Sequence, residues 1–322
     1  MSEPSRQLYT YQPPFQIYAL SFCTNPSHKF TLALGSFVKT QYNSISIISL
    51  NEESSQFEQI CKFDQTYPTT KLLWSPQPYS DLLASSGDSL RIFKYEENEL
   101  FVRNTLITEN RKDYPPPLTS LDWNQASPNI IGTSSINTTC TIWDIEKGSI
   151  IAHMIAHDQP AYDIAFSETE NIFATAGGDG SIRQFDLRNL ESSTILYEKQ
   201  DISACLRLAW NKHDPFYLAT ITLDSNTINV LDIRQPSISV YTLTGHNNCV
   251  NTLSWSPVHG SHLLTGADDH QAYLWDIQKS IMTIEPTFVY STDSEINNIA
   301  WSSVDPEWIA ISKNKDLDII RI

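Results

Sequence analysis

The stretch LTGADDHQAYLWDI, residues 264–277, sets Asp268 and Asp269 beside His270 and ends on the pair Trp275-Asp276. Adjacent carboxylates next to an imidazole are the materials of general acid–base chemistry or of a metal site. His259, His262 and His270 extend the pattern to an H-x-x-H with a third histidine eight residues on. The first two lie in SPVHGSH, a Gly-containing stretch ahead of an apolar run, which gives them no common face on which to converge on a metal. GGDG at residues 177–180 has no following helix pattern and no lysine, so it reads as a hairpin turn in which glycine supplies positive φ, not as a phosphate loop. G-x-S-x-G, the mark of an exposed hydrolase serine, does not occur. The five cysteines (Cys23, Cys61, Cys140, Cys205, Cys249) are odd in number, scattered and free of any C-x-x-C pair. They read as buried thiols in a reducing compartment, with neither a disulfide framework nor a zinc knuckle. With no complete set of acid, base and nucleophile, neither an enzyme activity nor a cofactor is expected.

Composition narrows the partners. Lys plus Arg number 21 against 37 Asp plus Glu, a formal charge of −16, so phosphate backbones and anionic membrane surfaces are repelled on average. Basic or mixed-charge proteins fit better. Arg111-Lys112 is too short to make a basic patch, and YPPPLTS from Tyr114 reads as a stiff connection. Apolar residues at 40% and charged residues at 18% fit a folded soluble chain. The opening MSEPSRQLYTYQPPF has no apolar centre for a signal peptide, and no run approaches the roughly 18 apolar residues of a membrane span. The expectation is a soluble protein of the cytoplasm and nucleus, monomeric by itself.

The elements that must position these residues come from an internal repeat. A short segment ending in an aromatic recurs at Phe22, Trp74, Trp123, Phe166, Trp210, Trp255 and Trp301, at spacings of 52, 49, 43, 44, 45 and 46. Two further apolar segments follow each one, such as HLLTGADD and QAYLWDI after Trp255, and a weaker fourth lies in each connection. All are short, rich in Ile, Leu, Thr and aromatics and separated by Gly, Asp, Asn and Ser, which favours strands over helices. Seven such units with six connections leave the last sheet one strand short. RQLYTYQ, residues 6–12, supplies it if it pairs with LDIIRI, residues 317–322, closing a ring over residues 1–322 as a single domain.

The units resemble WD repeats, on Gly245-His246, Thr265, Asp269 and Trp275-Asp276. In that family a loop histidine, a second-strand hydroxyl, a turn aspartate and a third-strand tryptophan form a buried hydrogen-bond chain, so the resemblance makes ADDHQAYLWD scaffold and the fold an all-β seven-bladed WD40 propeller. His157, Thr175 and Asp179 recur at the same spacings with Phe185 for the tryptophan; Thr133 and Trp143 recur with Asn137 for the acid. A set repeated in decay suits structure better than chemistry.

A closer resemblance runs nearly end to end, through LALGSF, YPTTKLLW, GTSSINTTCTIWDIE, GSIRQFDLRNLE, LRLAWNKHDPFYLAT and ADDHQAYLWDI. It is to the WD-repeat adaptors that include the plant Transparent Testa Glabra protein and an animal adaptor of DYRK-type and homeodomain-interacting kinases, the animal branch being the better match. EKGSIIAHMIAHD is shorter than in those relatives and Asn137 replaces their aspartate. The resemblance implies a non-catalytic scaffold that brings a DYRK/HIPK-like kinase to targets or transcription regulators. FDLR and LDIR also look like the WDxR box through which some WD proteins dock on a cullin-ligase adaptor, with Asp186, Arg188, Asp232 and Arg234 as that box. There are two alternatives: a substrate receptor of a cullin-RING ubiquitin ligase, or a structural subunit of a ciliary or chromatin assembly. The other reading of the arginines is that each pairs with an acid of the neighbouring blade.

Propellers gather the ends of their inner strands around a central channel. Four residues before the aromatics stand Tyr18, Thr70, Thr119, Tyr162, Leu206, Asn251 and Asn297, and two further back Gln16, Pro68, Pro117, Pro160, Ala204, Cys249 and Glu295. Alternation turns both sets to one rim, where Tyr and Asn make a partner-binding surface and Asp268 with Glu295 receives a basic peptide.

Overall fold

The structure, a computed structural model, describes residues 7–39, 42–78, 81–108, 115–199, 201–278 and 284–322. Arg111, Lys112 and Tyr114 lie outside these, as does Arg6 at the head of the closing segment. Among the described residues the strands form seven four-stranded antiparallel sheets. The first, second, third and fourth strands of blade 1 are Ile17–Phe22, Thr31–Ser36, Asn43–Asn51 and Gln56–Gln65. In blade 2 they are Lys71–Trp74, Leu82–Ser86, Leu90–Glu96 and Glu99–Leu106, and in blade 3 Leu118–Trp123, Ile130–Ser135, Thr139–Asp144 and Ser149–Ile155. Blade 4 has Ala161–Phe166, Ile172–Gly177, Ser181–Asp186 and Asn189–Glu198, and blade 5 Cys205–Trp210, Tyr217–Thr222, Thr227–Asp232 and Ser239–Thr244. Blade 6 has Val250–Trp255, His262–Ala267, Gln271–Asp276 and Pro286–Ser291. Blade 7 has Ile296–Trp301, Trp308–Lys313 and Asp316–Arg321, and its fourth strand is Leu8–Tyr11 from the chain's start.

That last pairing closes the ring. Leu8, Tyr9, Thr10 and Tyr11 lie opposite Ile320, Ile319, Asp318 and Leu317. Tyr9 stacks on Trp308 and meets Phe57 of blade 1 edge-on, so the strand also bridges to the next blade. Each blade's first strand packs on the next, and the first strand of blade 7 packs on that of blade 1.

The core sits between blades, not within them. Leu82, Leu90 and Ile92 of blade 2 bury against Leu121, Trp123, Ile131 and Trp143 of blade 3, and each joint around the ring has such a cluster. Second and third strands are almost wholly buried while fourth strands alternate, as in Ser149–Ile155. At the far end of the first strands a recurrent turn is fixed by its tryptophan. Trp123, Trp210 and Trp301 donate Nε1–H to the carbonyls of Pro128, Pro215 and Pro306 at 2.7, 2.8 and 2.7 Å.

One irregularity recurs where the rim begins. In six blades the pairing of first and second strands slips by one residue, at Tyr18, Thr119, Tyr162, Leu206, Asn251 and Asn297. A β-bulge leaves its residue unpaired and re-aims the side chain, shifting the inward phase by one for the remainder of the strand.

Candidate protein-docking faces

Antiparallel connections divide the ring into two faces. The turns between second and third strands, with the entries to the first strands, lie on one face; those between first and second and between third and fourth strands lie on the other.

On the first face stand the hydrogen-bond chains. In blade 6, Trp275 donates its indole N–H to Thr265 Oγ1 at 2.9 Å, and His246 Nε2 lies 2.8 Å from the same hydroxyl. His246 Nδ1 lies 3.0 Å from Asp269, which also accepts from the amides of Asn247 and Gln271 at 2.8 and 3.1 Å. One direction satisfies every atom: indole to hydroxyl, hydroxyl to Nε2, Nδ1–H to carboxylate. That needs a neutral imidazole, and burial does lower the pKa of His246. In blade 4, His157 sits 2.8 Å from Thr175 Oγ1 and 3.0 Å from Asp179. Burial alone would raise Asp179, but hydrogen bonds from His157 and Ser181 outweigh it and hold the carboxyl well below the usual range. Phe185 stacks on Phe173 there, and Ser181 Oγ, 2.7 Å from Asp179, adds a donor. In blade 3, Trp143 bonds Thr133 at 2.9 Å, while Asn137 caps Thr139 at 2.7 Å in place of an acid. The histidines, threonines and tryptophans of these sets are bonded to other protein atoms, so the sets hold turns in place.

The histidine triplet does not converge. His259 and His262 lie with ring centroids 5.0 Å apart and planes tilted by 60° at the start of the second strand of blade 6, whereas His270 occupies the turn after that strand, on the opposite face. Among the described residues no three His, Cys, Asp or Glu side chains gather as a metal set. GGDG is a turn with Gly180 at φ 77°, and His270 holds the equivalent place at 65°. No two of the five cysteines are joined in a disulfide, and burial pushes Cys23 and Cys61 up to about 11 and Cys205 to about 12.

The rim positions divide by chemistry. Thr70 donates to the Leu118 carbonyl at 3.0 Å and Thr119 to that of Ala161 at 2.6 Å. Asn251 donates to the Ile296 carbonyl at 2.8 Å and Asn297 to that of Ile17 at 3.1 Å. Each therefore clamps its blade to the next. Tyr18 packs on Phe37 at 4.8 Å and Tyr162 is half-buried at the mouth. Asp268 accepts from Asn251 at 2.5 Å, and Glu295 is exposed.

Lys71, Asp163, Arg207, Thr252 and Asn298, each three before its aromatic, line the channel, and Ser120 at the same place meets Asp163; in blades 3–7 this is the position after the bulge, whereas blade 2 has no bulge and blade 1 has Ala19 there. Counting by alternation alone misses this row, although its run of polar residues in otherwise apolar segments is visible in the sequence. Buried Asp163 of blade 4 accepts from Lys71 of blade 2 at 3.1 Å, Ser120 at 2.5 Å and the Leu208 amide at 2.9 Å. Arg207 reaches Tyr18 Oη at 3.3 Å across the ring. The channel holds about 850 Å³.

On the second face, Arg188 grips Asp186 through Nε at 2.9 Å and Nη2 at 2.6 Å, and Arg234 grips Asp232 at 2.8 and 2.6 Å. The acid is each strand's own, two residues upstream, and not a neighbouring blade's. The pairing lowers both carboxyls, Asp186 to about 2. Arg234 also lies over the Phe216 ring at 4.1 Å. Both guanidinium side chains stay open to solvent, 69% and 53% exposed. A planar fork pinned on one edge presents its remaining N–H groups in a fixed direction.

The WD domain, G-beta repeat family matches residues 148–186 and 237–276, which cover blades 4 and 6 in part. A DDB1- and CUL4-associated factor 7 homolog of Dictyostelium discoideum is 44% identical over 98% of this chain and 99% of its own length. An uncharacterized WD repeat-containing protein of Schizosaccharomyces pombe is 30% identical over 99% of this chain and 91% of its own. A WD repeat-containing protein of Saccharomyces cerevisiae is 33% identical over 85% of this chain, which spans 59% of that relative. With a closed ring of seven sheets, matched repeats and a relative of this identity over its whole length, the chain belongs to the WD-repeat propeller family of the DDB1- and CUL4-associated factor 7 homologs.

Proposed function

We propose that this chain is a non-catalytic adaptor that docks on DDB1 of a cullin-RING ligase through Arg188 and Arg234 and carries a protein cargo on its other face. The observation that supports it is the pair of solvent-exposed arginines on adjacent blades, each pinned by its own aspartate at the same position of the repeat. The name of the Dictyostelium relative adds to it. Arginines of this kind make strong interface anchors because little freedom is lost when they bind.

Binding of purified DDB1 to the purified chain tests the reading. The wild type binds, and Arg188→Ala with Arg234→Ala weakens binding by about tenfold or more. Lysine replacements fail to restore it, since an ammonium cannot hold the aspartate as a fork and still present directed donors. Equal binding by wild type and the double variant removes the proposal. The finer identification of the cargo as a DYRK/HIPK-like kinase or a transcription regulator rests on the resemblance of stretches such as GSIRQFDLRNLE and LRLAWNKHDPFYLAT. Affinity purification from cells tests it: the double variant loses DDB1 and keeps the kinase. Work in the cytoplasm and nucleus accords with such partners, and imaging of a tagged chain checks it.

A further inference from the structure

We propose that the face carrying the turns between second and third strands docks an extended partner segment that is aliphatic along most of its length and carries one Lys or Arg side chain. Its aliphatic part lies over blades 1–5 and its cation enters an acidic pocket between blades 6 and 7. The proposal stands apart from the ligase reading, because Arg188 and Arg234 belong to the opposite face.

The repeat makes the positions comparable. The residue just after each second strand sends its backbone N–H to the carbonyl at the entry of its own first strand: Phe37 to Gln16, Ile136 to Pro117, Gly178 to Pro160, Leu223 to Ala204 and Asp268 to Cys249. Around the ring this place is held by Phe37, Gly87, Ile136, Gly178, Leu223, Asp268 and Asn314. Blades 1, 3 and 5 thus raise an apolar side chain, blades 2 and 4 leave a glycine gap, and blades 6 and 7 turn polar. Phe37, Ile136 and Leu223 are 38%, 49% and 47% exposed. Ile107, Ile155 and Ile202, in or next to the connections of the same face, are also exposed, as are Tyr42 and Tyr67.

Tight turns ordinarily take Gly, Asn, Asp or Ser, whose backbone or side chain serves the turn itself. Phe37 packs on Tyr18, but Ile136 and Leu223 at the equivalent turns are left about half in water where the fold has no use for an aliphatic, and exposed apolar surface of this kind marks a contact site. Glycine at the intervening blades is set by close packing, since a Cβ at Gly87 would lie 2.8 Å from the Pro68 carbonyl oxygen and one at Gly178 3.1 Å from Gln159, and it keeps those places low between the raised residues. A strand-like segment suits such a row, since every second side chain points the same way.

Charge names the rest of the occupant. The pocket of about 320 Å³ between blades 6 and 7 is lined by Asp268, Asp293, Glu295, Asn297 and Gln16 among others. Lys313 pairs with Asp293 at 3.1 Å, and Asn251 orients Asp268 at 2.5 Å. Asp268 and Glu295 remain as carboxylates without a paired cation among the described residues. An extended aliphatic stem ending in a positive head crosses from the apolar sector into this pocket, which is how Lys and Arg bury their stems. The chain's charge of −16 draws a basic segment in.

A random-sequence peptide display library panned on the purified full chain, followed by titration of the enriched peptides, tests the proposal. Enriched sequences carry at least one Lys or Arg with two or more of Leu, Ile, Met or Phe. The tightest of them loses about tenfold in affinity to Ile136→Asp with Leu223→Asp, and about as much to Asp268→Asn with Glu295→Gln, the second loss shrinking in high salt. Melting curves show whether each variant is folded; if an aspartate pair unfolds the chain, Ile136→Ser with Leu223→Ser takes its place. Failure to enrich any peptide, enrichment of acidic peptides, or unchanged binding by both folded pairs overturns the proposal.

Discussion

At the scale of the residue, Asp269 and Asp179, which look reactive in the sequence, are taken up by His246 and His157 and by the turns they hold. Asp269 accepts from His246 and from two backbone amides, so Asp269→Ala leaves buried donors unpaired. The expected cost is about 2 kcal/mol, seen as a lowered melting temperature, with binding of DDB1 unaltered. pH reads the same chain. Burial lowers the pKa of His246 below its ordinary 6.5, so the unfolded chain takes up a proton at a higher pH than the folded one. The stability from this group is complete above that value and is lost as the pH falls toward the folded pKa. Asp179, lowered from 3.8, has the same sign in a lower window: its contribution is present above that value and is lost as the pH falls further. Thermal melts from about pH 7 to about pH 5 fall progressively in the wild type and less so in His246→Gln; equal pH profiles for the two would remove His246 as the cause. These chains are legible in the sequence because residue types and spacings carry them. The Arg188–Asp186 and Arg234–Asp232 forks are half legible. The motif shows which residues stand together, but whether the guanidinium turns to its own strand or to the next blade depends on distances that only coordinates supply.

At the scale of the element, the strands are set by recurring short apolar runs and the missing fourth strand by simple arithmetic over the repeats. Leu8–Tyr11 is the laddered part of RQLYTYQ, flanked by Gln7, whose carbonyl accepts from the Arg321 amide at 3.1 Å, and by Gln12, whose side chain donates to Asp316 at 2.7 Å. The closing strand is held by side chains as well as by its ladder: Tyr9 stacks on Trp308 and touches Phe57. Tyr9→Ala removes both ring contacts, for a loss of about 2 kcal/mol. Deletion of residues 1–12 does more, since Asp316–Arg321 becomes an open edge; the shortened chain aggregates in size-exclusion chromatography. A monodisperse shortened chain with an unchanged melt would mean that the ring holds without this strand. What the sequence conceals is the bulge in six of the seven first strands. Period-two alternation carries no mark for one extra residue, so Thr119, Asn251 and Asn297 read as recognition side chains although they clamp successive blades together. The polar residues Asp163, Arg207, Thr252 and Asn298, each just after a bulge, line the channel for the same reason.

At the scale of the whole molecule, antiparallel sheets in a closed ring sort the loops into two faces, and the two faces differ in chemistry. One offers pinned cations, Arg188 and Arg234, the latter lying over Phe216. The other offers exposed Phe37, Ile136 and Leu223 next to the pocket of Asp268 and Glu295. Between them each joint is a packed cluster crossed by side-chain hydrogen bonds, an arrangement that gives the two faces no switching element to share. Occupancy of one face therefore leaves affinity at the other unchanged, since coupling requires a two-state element that both ligands bias. DDB1 at saturation leaves the affinity of a display-selected peptide within about twofold of that for the free chain, and the peptide in turn leaves DDB1 binding unaltered, as reciprocity demands. Competition between them would place both ligands on one face and break the assignment of cargo and ligase to opposite sides. Independent binding with loss of only the peptide in Ile136→Asp with Leu223→Asp, and of only DDB1 in Arg188→Ala with Arg234→Ala, is the pattern that an adaptor built on this ring must give.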